Sequence, residues 1–388
     1  MTLDELAGSG EAFGADDPWT GGLAEHGYRT REFLLRGDGF ATRLLVREPA
    51  GDASGVVVLE PMHYSGGRPV WRSCHEYLLR CRHTWAEVAC QTTPAHAMVR
   101  RSPDRYRAVH LPGRPSALTP FDGAGLGLRE RSDRFSQVWW DTSPRLTDIL
   151  SAAIRAVRDL GCGTVVLAGS SQSGGVVRRY ATALGPYDEA PDGFLPLHSG
   201  GAALTTLRRP TVEVLAEADL ESVRSAAGLP GQGRDLAHRG GDPRHYVVYE
   251  VPGMAHVDSR YAPPEAAPPP GSRWSTFPHT HVTHAALDAL VAWARDGVAP
   301  PRSCHLDVSC RDAAGHPDGG WRTPAVDLPR ARLEVISPGE HWSRGHEYPL
   351  PAPRGYPAAA ESVLTRLVDQ RRYLPEDAAT WLRETLKG

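Results

Sequence analysis

Short apolar runs alternate along the chain with segments in which apolar residues recur every three or four positions. The runs predict strands buried on both faces of a sheet, and the periodic segments predict helices. The predicted strands are 28–35, 41–47, 55–60, 84–90, 165–168, 194–197, 212–216 and 246–251. The predicted helices are 70–80, 139–160, 176–184, 285–295, 361–367 and 376–386. This alternation favours an α/β fold with a mostly parallel central sheet and helices on both faces.

Glycine and proline divide the chain into a central part and two flanks. Residues 1–27 are rich in Gly and Asp with little periodicity, which predicts a surface arm. Residues 28–299 hold most of the predicted strands and helices and form the predicted core. Its Pro-rich stretches near 91–134 and 257–282 predict cap segments, because long irregular segments within a compact domain usually have a function. Residues 300–388 predict an extension packed on the core.

The stretch 164–180 combines a strand, a run of small residues and a helix. Its apolar strand ends at Ala168, small residues follow from Gly169 to Gly175, and helical spacing then resumes. A strand that turns directly into a helix is typical of the tight turn that exposes a nucleophilic serine. The residue at the tip is strained, and bulky side chains two positions away on either side would collide with the turn. The turn therefore needs the pattern small-x-Ser-x-small.

Two serines satisfy this pattern. Ser171 lies between Gly169 and Ser173, whereas Ser173 lies between Ser171 and Gly175. A glycine that directly follows the last strand residue favours Ser171 as the nucleophile and leaves Ser173 as the alternative. The backbone N–H of Gln172 would then face a developing oxyanion. A non-catalytic loop that caps a helix or binds phosphate is the competing interpretation.

The elbow sequence Gly-x-Ser-Gln-Ser-Gly resembles that of the alpha/beta hydrolases, and in particular a bacterial branch labelled "alpha/beta hydrolase domain". The resemblance runs from about residue 28 to residue 386. It is also carried by the segments 28–33, 43–49, 55–60, 252–256 and 319–324. It implies an alpha/beta-hydrolase fold and a serine hydrolase that needs no cofactor.

The resemblance further implies that the triad acid and then the histidine follow the nucleophile, each just beyond a strand. Asp219, after strand 212–216, is the favoured acid, and Glu217 is the alternative because either carboxylate could orient an imidazole. A surface acid that caps the next helix is the competing interpretation for one of the two. His256 lies in Pro-Gly-Met-Ala-His after strand 246–251, which matches the histidine loop of the family.

The loop 61–67 after strand 55–60 is expected to supply the second oxyanion N–H. Met62 and His63 are the candidates, with their backbone favoured over the His63 ring, and Tyr64 is expected to contact substrate. Members of the branch often have Asn where this chain has His63. The details of the oxyanion hole therefore stay open.

Besides Tyr64, four aromatic residues are candidates for the substrate pocket. Trp139 and Trp140 precede the helix expected beside the elbow, and at most one of them can face the acyl group because neighbours point in different directions. Core packing explains either equally well. Trp274 and Phe277 follow the histidine loop in a Pro-rich stretch. They are expected to form one wall of the pocket together with part of the C-terminal extension.

The amino-acid composition argues against several classes of function. A net charge of −3 without a basic stripe argues against nucleic-acid binding. The single lysine, Lys387, excludes Schiff-base chemistry, a P-loop lysine and a Ser-Lys pair. Six cysteines without C-x-x-C spacing predict free thiols. With no signal-peptide pattern and no membrane-length apolar run, a cytoplasmic protein without membrane contact is expected.

Three histidines in His-Thr-His-Val-Thr-His invite a zinc interpretation. Neither a carboxylate nor a cysteine completes the spacing of His279, His281 and His284, so a helix start or a polar rim is favoured and no metal is expected.

The leading hypothesis is a serine hydrolase acting on an ester or thioester of a small or medium organic substrate. An acyltransferase or cyclase that uses the same acyl-enzyme and a non-catalytic binding protein are the alternatives. The oligomeric state stays open.

Overall fold

The computed structural model describes residues 1–6, 8–14, 22–113, 143–184, 189–201, 204–205, 207–228, 244–260, 267–337 and 344–386. The chain divides into two compact units, Met1–Pro196 and Leu197–Gly388. Among the described helices, none has both the length and the hydrophobicity needed to span a bilayer.

The first unit is built on a sheet whose strand order is β1-β2-β3-β5-β4-β6. Its strands are β1 (Thr2–Glu5), β2 (Tyr28–Gly37), β3 (Phe40–Pro49), β4 (Val56–Pro61), β5 (Thr84–Val88) and β6 (Thr164–Ser170), and β7 (Gly193–Leu197) ends the unit. Strand β4 runs parallel to β5 and β6, whereas β1, β2 and β3 add an antiparallel edge. Every residue of β4 and β5 is buried, including the carboxylates of Glu60 and Glu87 within otherwise mostly apolar strands.

In the described residues of this unit, five helices accompany the sheet. They are α1 (Pro69–Arg80), α2 (Thr92–Arg101), α3 (Pro103–Tyr106), α4 (Leu146–Asp159) and α5 (Gln172–Ala183). The spacing of Ile149, Ala152, Ala153 and Ala156 predicts one buried face of helix α4; three of them are buried, whereas Ala152 is half-buried. Helix α2 corrects the interpretation of 91–134 as a loop throughout, because its proline lies in the first turn, where it does not break a helix. The rest of that predicted cap, from 114 onward, lies outside the described residues.

The second unit contains the parallel pair β8 (Thr211–Ala216) and β9 (Tyr246–Val251), and a 3₁₀ turn at Glu217–Asp219 directly follows β8. Two small sheets follow, formed by β10 (Arg273–Trp274) with β13 (Ala331–Glu334) and β14 (His346–Pro349), and by β11 (Leu306–Arg311) with β12 (Pro317–Gly319). The helices are α6 (Glu221–Ala226), α7 (His279–Asp296), α8 (Pro324–Asp327), α9 (Tyr356–Asp369) and α10 (Pro375–Leu386). The prediction of an α/β fold with a mostly parallel central sheet is confirmed.

Residues beyond 300 bind the end of β9. The N–H of Trp321 donates to the Glu250 carbonyl at 2.7 Å, and the N–H of Leu306 donates to the Glu250 carboxylate at 2.7 Å. Gly320 adopts φ +70°, and a Cβ there would lie 2.4 Å from the Glu250 carbonyl oxygen. Only glycine allows this approach. The late segment is therefore bonded to the strand that precedes the histidine loop.

Candidate active site

Ser171 occupies the turn between β6 and α5. Its φ of +54° and ψ of −118° lie in a region that serine rarely adopts, and only four non-glycine residues in the described part of the chain have positive φ. Ser171 is partly exposed, whereas the residues that flank it are buried. A strained serine at the tip of a strand–helix turn is the geometry that the sequence predicted for a nucleophile.

The small residues around Ser171 are required by close packing. A Cβ on Gly169 would lie 2.4 Å from the Ser173 carbonyl oxygen, so any side chain at Gly169 would force the turn open. Ser173 is fully buried, and its Oγ donates to the Ser170 carbonyl and accepts the Ser170 N–H, both at 3.0 Å. The Ser173 hydroxyl thus closes the turn from inside. The hydroxyl at the tip belongs to Ser171.

Gln172 ties the start of α5 to the loop after β4. Its Oε1 accepts the Tyr64 N–H at 3.3 Å and the Gln91 amide at 3.0 Å, and its own amide donates to Gln91 Oε1 at 2.5 Å. Gln91 also donates to the Met62 carbonyl at 2.8 Å. A buried pair of amides therefore fixes the loop relative to the residue that follows the nucleophile.

Hydrogen bonds within the loop after β4 indicate which of its backbone N–H groups could donate to the oxyanion. The Met62 N–H already donates to the Val88 carbonyl at 2.9 Å, which disfavours Met62 as a donor to substrate. The His63 ring lies with its Nδ1 2.6 Å from Ser65 Oγ, and its centroid is 4.6 Å from that of Tyr64. The ring is held within its own loop. His63 is accordingly the loop residue whose backbone we retain as a candidate donor.

Glu60 anchors this loop at its base. Its buried carboxylate accepts the N–H groups of Val70 at 2.9 Å and Trp71 at 3.0 Å, in the first turn of α1, and the indole N–H of Trp85 at 3.0 Å. Burial raises the pKa of Glu60 to about 8, against the opposing effect of these hydrogen bonds. The carboxyl group closes the loop 61–69 by joining the end of β4 to the helix that follows it.

In the second unit the structure brings Asp219 and His256 together. His256 Nδ1 lies 2.6 Å from Asp219 Oδ1. Burial opposes ionisation of Asp219, but His256 and His198 outweigh it and hold the pKa of this carboxyl well below its usual range. Because an ionised carboxylate only accepts hydrogen bonds, Nδ1 of His256 carries the proton and Nε2 is left to act as a base. The pair can therefore accept a proton and stabilise the resulting imidazolium.

Glu217, the alternative acid, has a different role in this unit. One of its oxygens accepts the Gly253 N–H at 2.8 Å, and the other accepts from Arg311 at 3.0 Å. Burial raises its pKa, and these two partners oppose the effect. Glu217 thus joins the histidine loop to β11, whereas Asp219 contacts the His256 ring.

His198 was not singled out by the sequence. It directly follows β7, and its Nδ1 lies 3.2 Å from Asp219 Oδ2. One signal could have identified it: in parallel sheets, functional side chains collect just beyond the carboxyl ends of strands. The carboxylate therefore receives one imidazole on each oxygen.

The three histidines near the start of α7 have separate partners. His279 Nε2 lies 2.9 Å from the Ala255 carbonyl, in the histidine loop. His281 Nδ1 lies 2.5 Å from the Tyr373 hydroxyl, and His284 Nδ1 lies 2.9 Å from Asp377 Oδ2. His279 thus supports the histidine loop. The other two rings connect α7 to the C-terminal part of the chain.

Of the five aromatic candidates for substrate binding, Tyr64 is buried in the loop after β4, and Trp139 and Trp140 lie outside the described residues. Trp274 is partly exposed in β10, opposite His346 in the adjacent strand. Phe277 is buried and lines a cavity of about 440 Å³ in the second unit, together with Arg330, Leu333 and Trp381. This cavity has the size of a small-molecule site, and its wall combines the 257–282 segment with the C-terminal extension.

Comparison with known proteins identifies the family. The family described as "Alpha/beta hydrolase domain" matches residues 4–383. The comparison with curated proteins gave no match.

Among solved structures, the chain is similar to a putative dienelactone hydrolase from Klebsiella pneumoniae, with 10% identity, coverage of 69% of this chain and 98% of that one, and a TM-score of 0.39. It is also similar to an a/b serine hydrolase without lid from Xanthomonas campestris, with 15% identity, coverage of 59% and 86%, and a TM-score of 0.33. A poly(3-hydroxybutyrate) depolymerase from Bordetella parapertussis has 14% identity, coverage of 71% and 91%, and a TM-score of 0.34. At TM-scores this low, no inference about this chain follows from them. The match over residues 4–383 shows that the chain belongs to the alpha/beta hydrolase domain family.

Proposed function

We propose that this protein is a serine-dependent hydrolase that cleaves an ester or thioester of a small or medium organic substrate through an acyl-enzyme. The observation that carries the proposal is the strained backbone of Ser171 at the tip of the β6–α5 turn. Such strain persists only where the surrounding structure enforces it, and it is concentrated at functional sites. The His256–Asp219 pair, with its contact of 2.6 Å, supplies the matching base.

In the proposed mechanism His256 Nε2 takes the proton of Ser171 as its Oγ attacks the substrate carbonyl. Asp219 keeps the proton on Nδ1 and stabilises the imidazolium. The N–H groups of Gln172 and His63 are the proposed donors to the oxyanion. The imidazolium then returns its proton to the leaving alcohol or thiol, and a water molecule activated by the same base releases the acid. The step needs no cofactor.

The six cysteines are free thiols. This supports the proposal of a protein that works in a reducing compartment such as the cytoplasm. The proposed partner is a small-molecule ester or thioester.

A fluorophosphonate probe tests the proposal directly, because it labels only an activated serine. We expect the wild type and Ser173→Ala to be labelled and Ser171→Ala to be unlabelled, with hydrolysis of a panel of chromogenic esters reduced about 10³-fold or more in Ser171→Ala. Circular dichroism should show that both variants fold. Labelling that survives in Ser171→Ala but disappears in Ser173→Ala would contradict the assignment, and an unlabelled wild type would contradict the proposed function.

A further inference from the structure

His198 is held in an unusual place. It directly follows β7 and adopts φ +50°, in the left-handed region that residues other than glycine adopt uncommonly. Its N–H donates to the Val214 carbonyl at 2.8 Å, which keeps the backbone beside β8. The ring is nearly buried, with 9% of the residue exposed. Strain of this kind persists where several contacts enforce it.

The two imidazoles divide the Asp219 carboxylate between them. His256 Nδ1 lies 2.6 Å from Oδ1 and His198 Nδ1 lies 3.2 Å from Oδ2, with the ring centroids 5.9 Å apart and the planes at 71°. Oδ2 also accepts the Ala216 N–H at 2.8 Å. Because the carboxylate only accepts, both rings donate from Nδ1. Two donors on Oδ2 fix the plane of the carboxylate and so fix the direction in which Oδ1 faces His256.

We propose that His198 is a positioning residue for the acid–base pair: its Nδ1–H holds Asp219 in the orientation that keeps His256 ready to act as base. This rests on the proposed function. His198 does not itself exchange a proton with substrate in this mechanism. His279 is also near His198, with ring centroids 6.3 Å apart, and its Nδ1 lies 3.7 Å from Asp258 Oδ2. The charged and titratable groups that face His198 are therefore Asp219, His256 and His279, with Asp258 behind the last of these.

Two substitutions of His198 distinguish the effect of its hydrogen bond to Asp219 from the effect of its strained backbone. Asn places an amide N–H near the position of Nδ1 and tolerates positive φ, whereas Gly relieves the strain but has no donor. We expect His198→Gly to lower kcat about tenfold with KM within about twofold of wild type, and His198→Asn to retain kcat within about threefold. A matched control is His83→Ala, which removes another buried ring, whose Nδ1 lies 2.7 Å from Ser54 Oγ. It should leave kcat unchanged.

A spectroscopic measurement gives a readout that general destabilisation would not produce. Two imidazole N–H protons bound to one carboxylate predict two low-field proton resonances in the wild type, and His198→Gly should remove one and shift the other. Wild-type kcat in His198→Gly, or equal losses in His198→Asn and His198→Gly, would overturn the inference. A wild type that fluorophosphonate does not label would overturn the proposed function and this inference with it. A wild type that fluorophosphonate labels, together with an unchanged kcat in His198→Gly, would overturn this inference and leave the proposed function standing.

Discussion

Exchanging Asp219 for Asn changes one atom and tests which carboxylate acts as the triad acid. In the wild type the Oδ1 side of Asp219 faces one donor, His256 Nδ1, and the Oδ2 side faces two, the Ala216 N–H and His198 Nδ1. An asparagine has one acceptor and one donor group. Its NH₂ placed on the Oδ2 side would oppose two donors, so the amide is expected to place its oxygen there and its NH₂ against His256.

That orientation forces His256 to accept at Nδ1 and to carry its proton on Nε2. The ring then cannot take the proton of Ser171. When a triad aspartate is replaced in this way, kcat falls about 10⁴-fold because of the wrong tautomer. This corresponds to about 5.4 kcal/mol of lost transition-state stabilisation. We expect Asp219→Asn to show a loss of this order, with an unchanged fold because the shape of the side chain is preserved.

Glu217→Gln is the matched control, since it removes the charge of the alternative acid two residues away. Gln can still accept the Gly253 N–H but loses the charge that faces Arg311. We expect the free energy of unfolding to fall by about 1–3 kcal/mol and kcat to stay within about threefold of wild type. The assay is steady-state hydrolysis of one chromogenic ester, with urea unfolding of each variant. A dead Glu217→Gln beside a nearly normal Asp219→Asn would refute the reasoning.

Two further predictions concern the loop anchor and the pocket wall. Because the pKa of Glu60 in the fold, about 8, lies above its ordinary value of 4.5, its stabilising contribution is present below pH 4.5 and is lost as the pH rises towards 8. The free energy of unfolding, measured with urea, should therefore fall more steeply between pH 5 and 8 for the wild type than for Glu60→Gln. An equal dependence on pH in the two proteins would contradict the raised pKa of Glu60. Trp274→Ala should change KM or ester preference more than the melting temperature, because its side chain is partly exposed. A Trp274→Ala variant that merely unfolds would contradict the expectation for Trp274. Phe277→Ala, at a buried site, should lower the free energy of unfolding by about 3–5 kcal/mol.

The sequence predicts the strands of the main sheet well because their burial leaves short runs that are mostly apolar. Strand β9 was predicted with its observed bounds, Tyr246–Val251. The small sheets of the second unit were missed, since strands as short as Arg273–Trp274 are too brief and too exposed to show a period. Helix α2 was missed because its proline was interpreted as a mark of a loop. Strand β1 was missed within a Gly-rich arm of little periodicity.

At the candidate site, the sequence could predict which single residues suit a tight turn or proton transfer, but not how distant residues contact one another. Gly169 and Ser173 could be recognised as small neighbours of Ser171 because the turn allows nothing larger. The sequence favoured Asp219 but kept Glu217 as the alternative, since two residues of a 3₁₀ turn point in directions that no pattern encodes. The position of His198 directly after a strand could have marked it as a candidate, but its contact with Asp219 could not be predicted, because a positive φ and a shared carboxylate depend on contacts between distant parts of the chain.

The bonds that join the late segment to β9 and to Glu217 have a consequence for biosynthesis. A ribosome that has just added His256 has supplied every residue of the proposed triad, yet Arg311 and Trp321 are still to be made. Until they emerge, Glu217 lacks its cationic partner, and the Glu250 carbonyl lacks the Trp321 N–H. The loop that holds the base is therefore completed only when the last quarter of the chain is synthesised. A nascent or prematurely ended chain would carry the whole motif and still lack the bonds that hold its histidine loop in place.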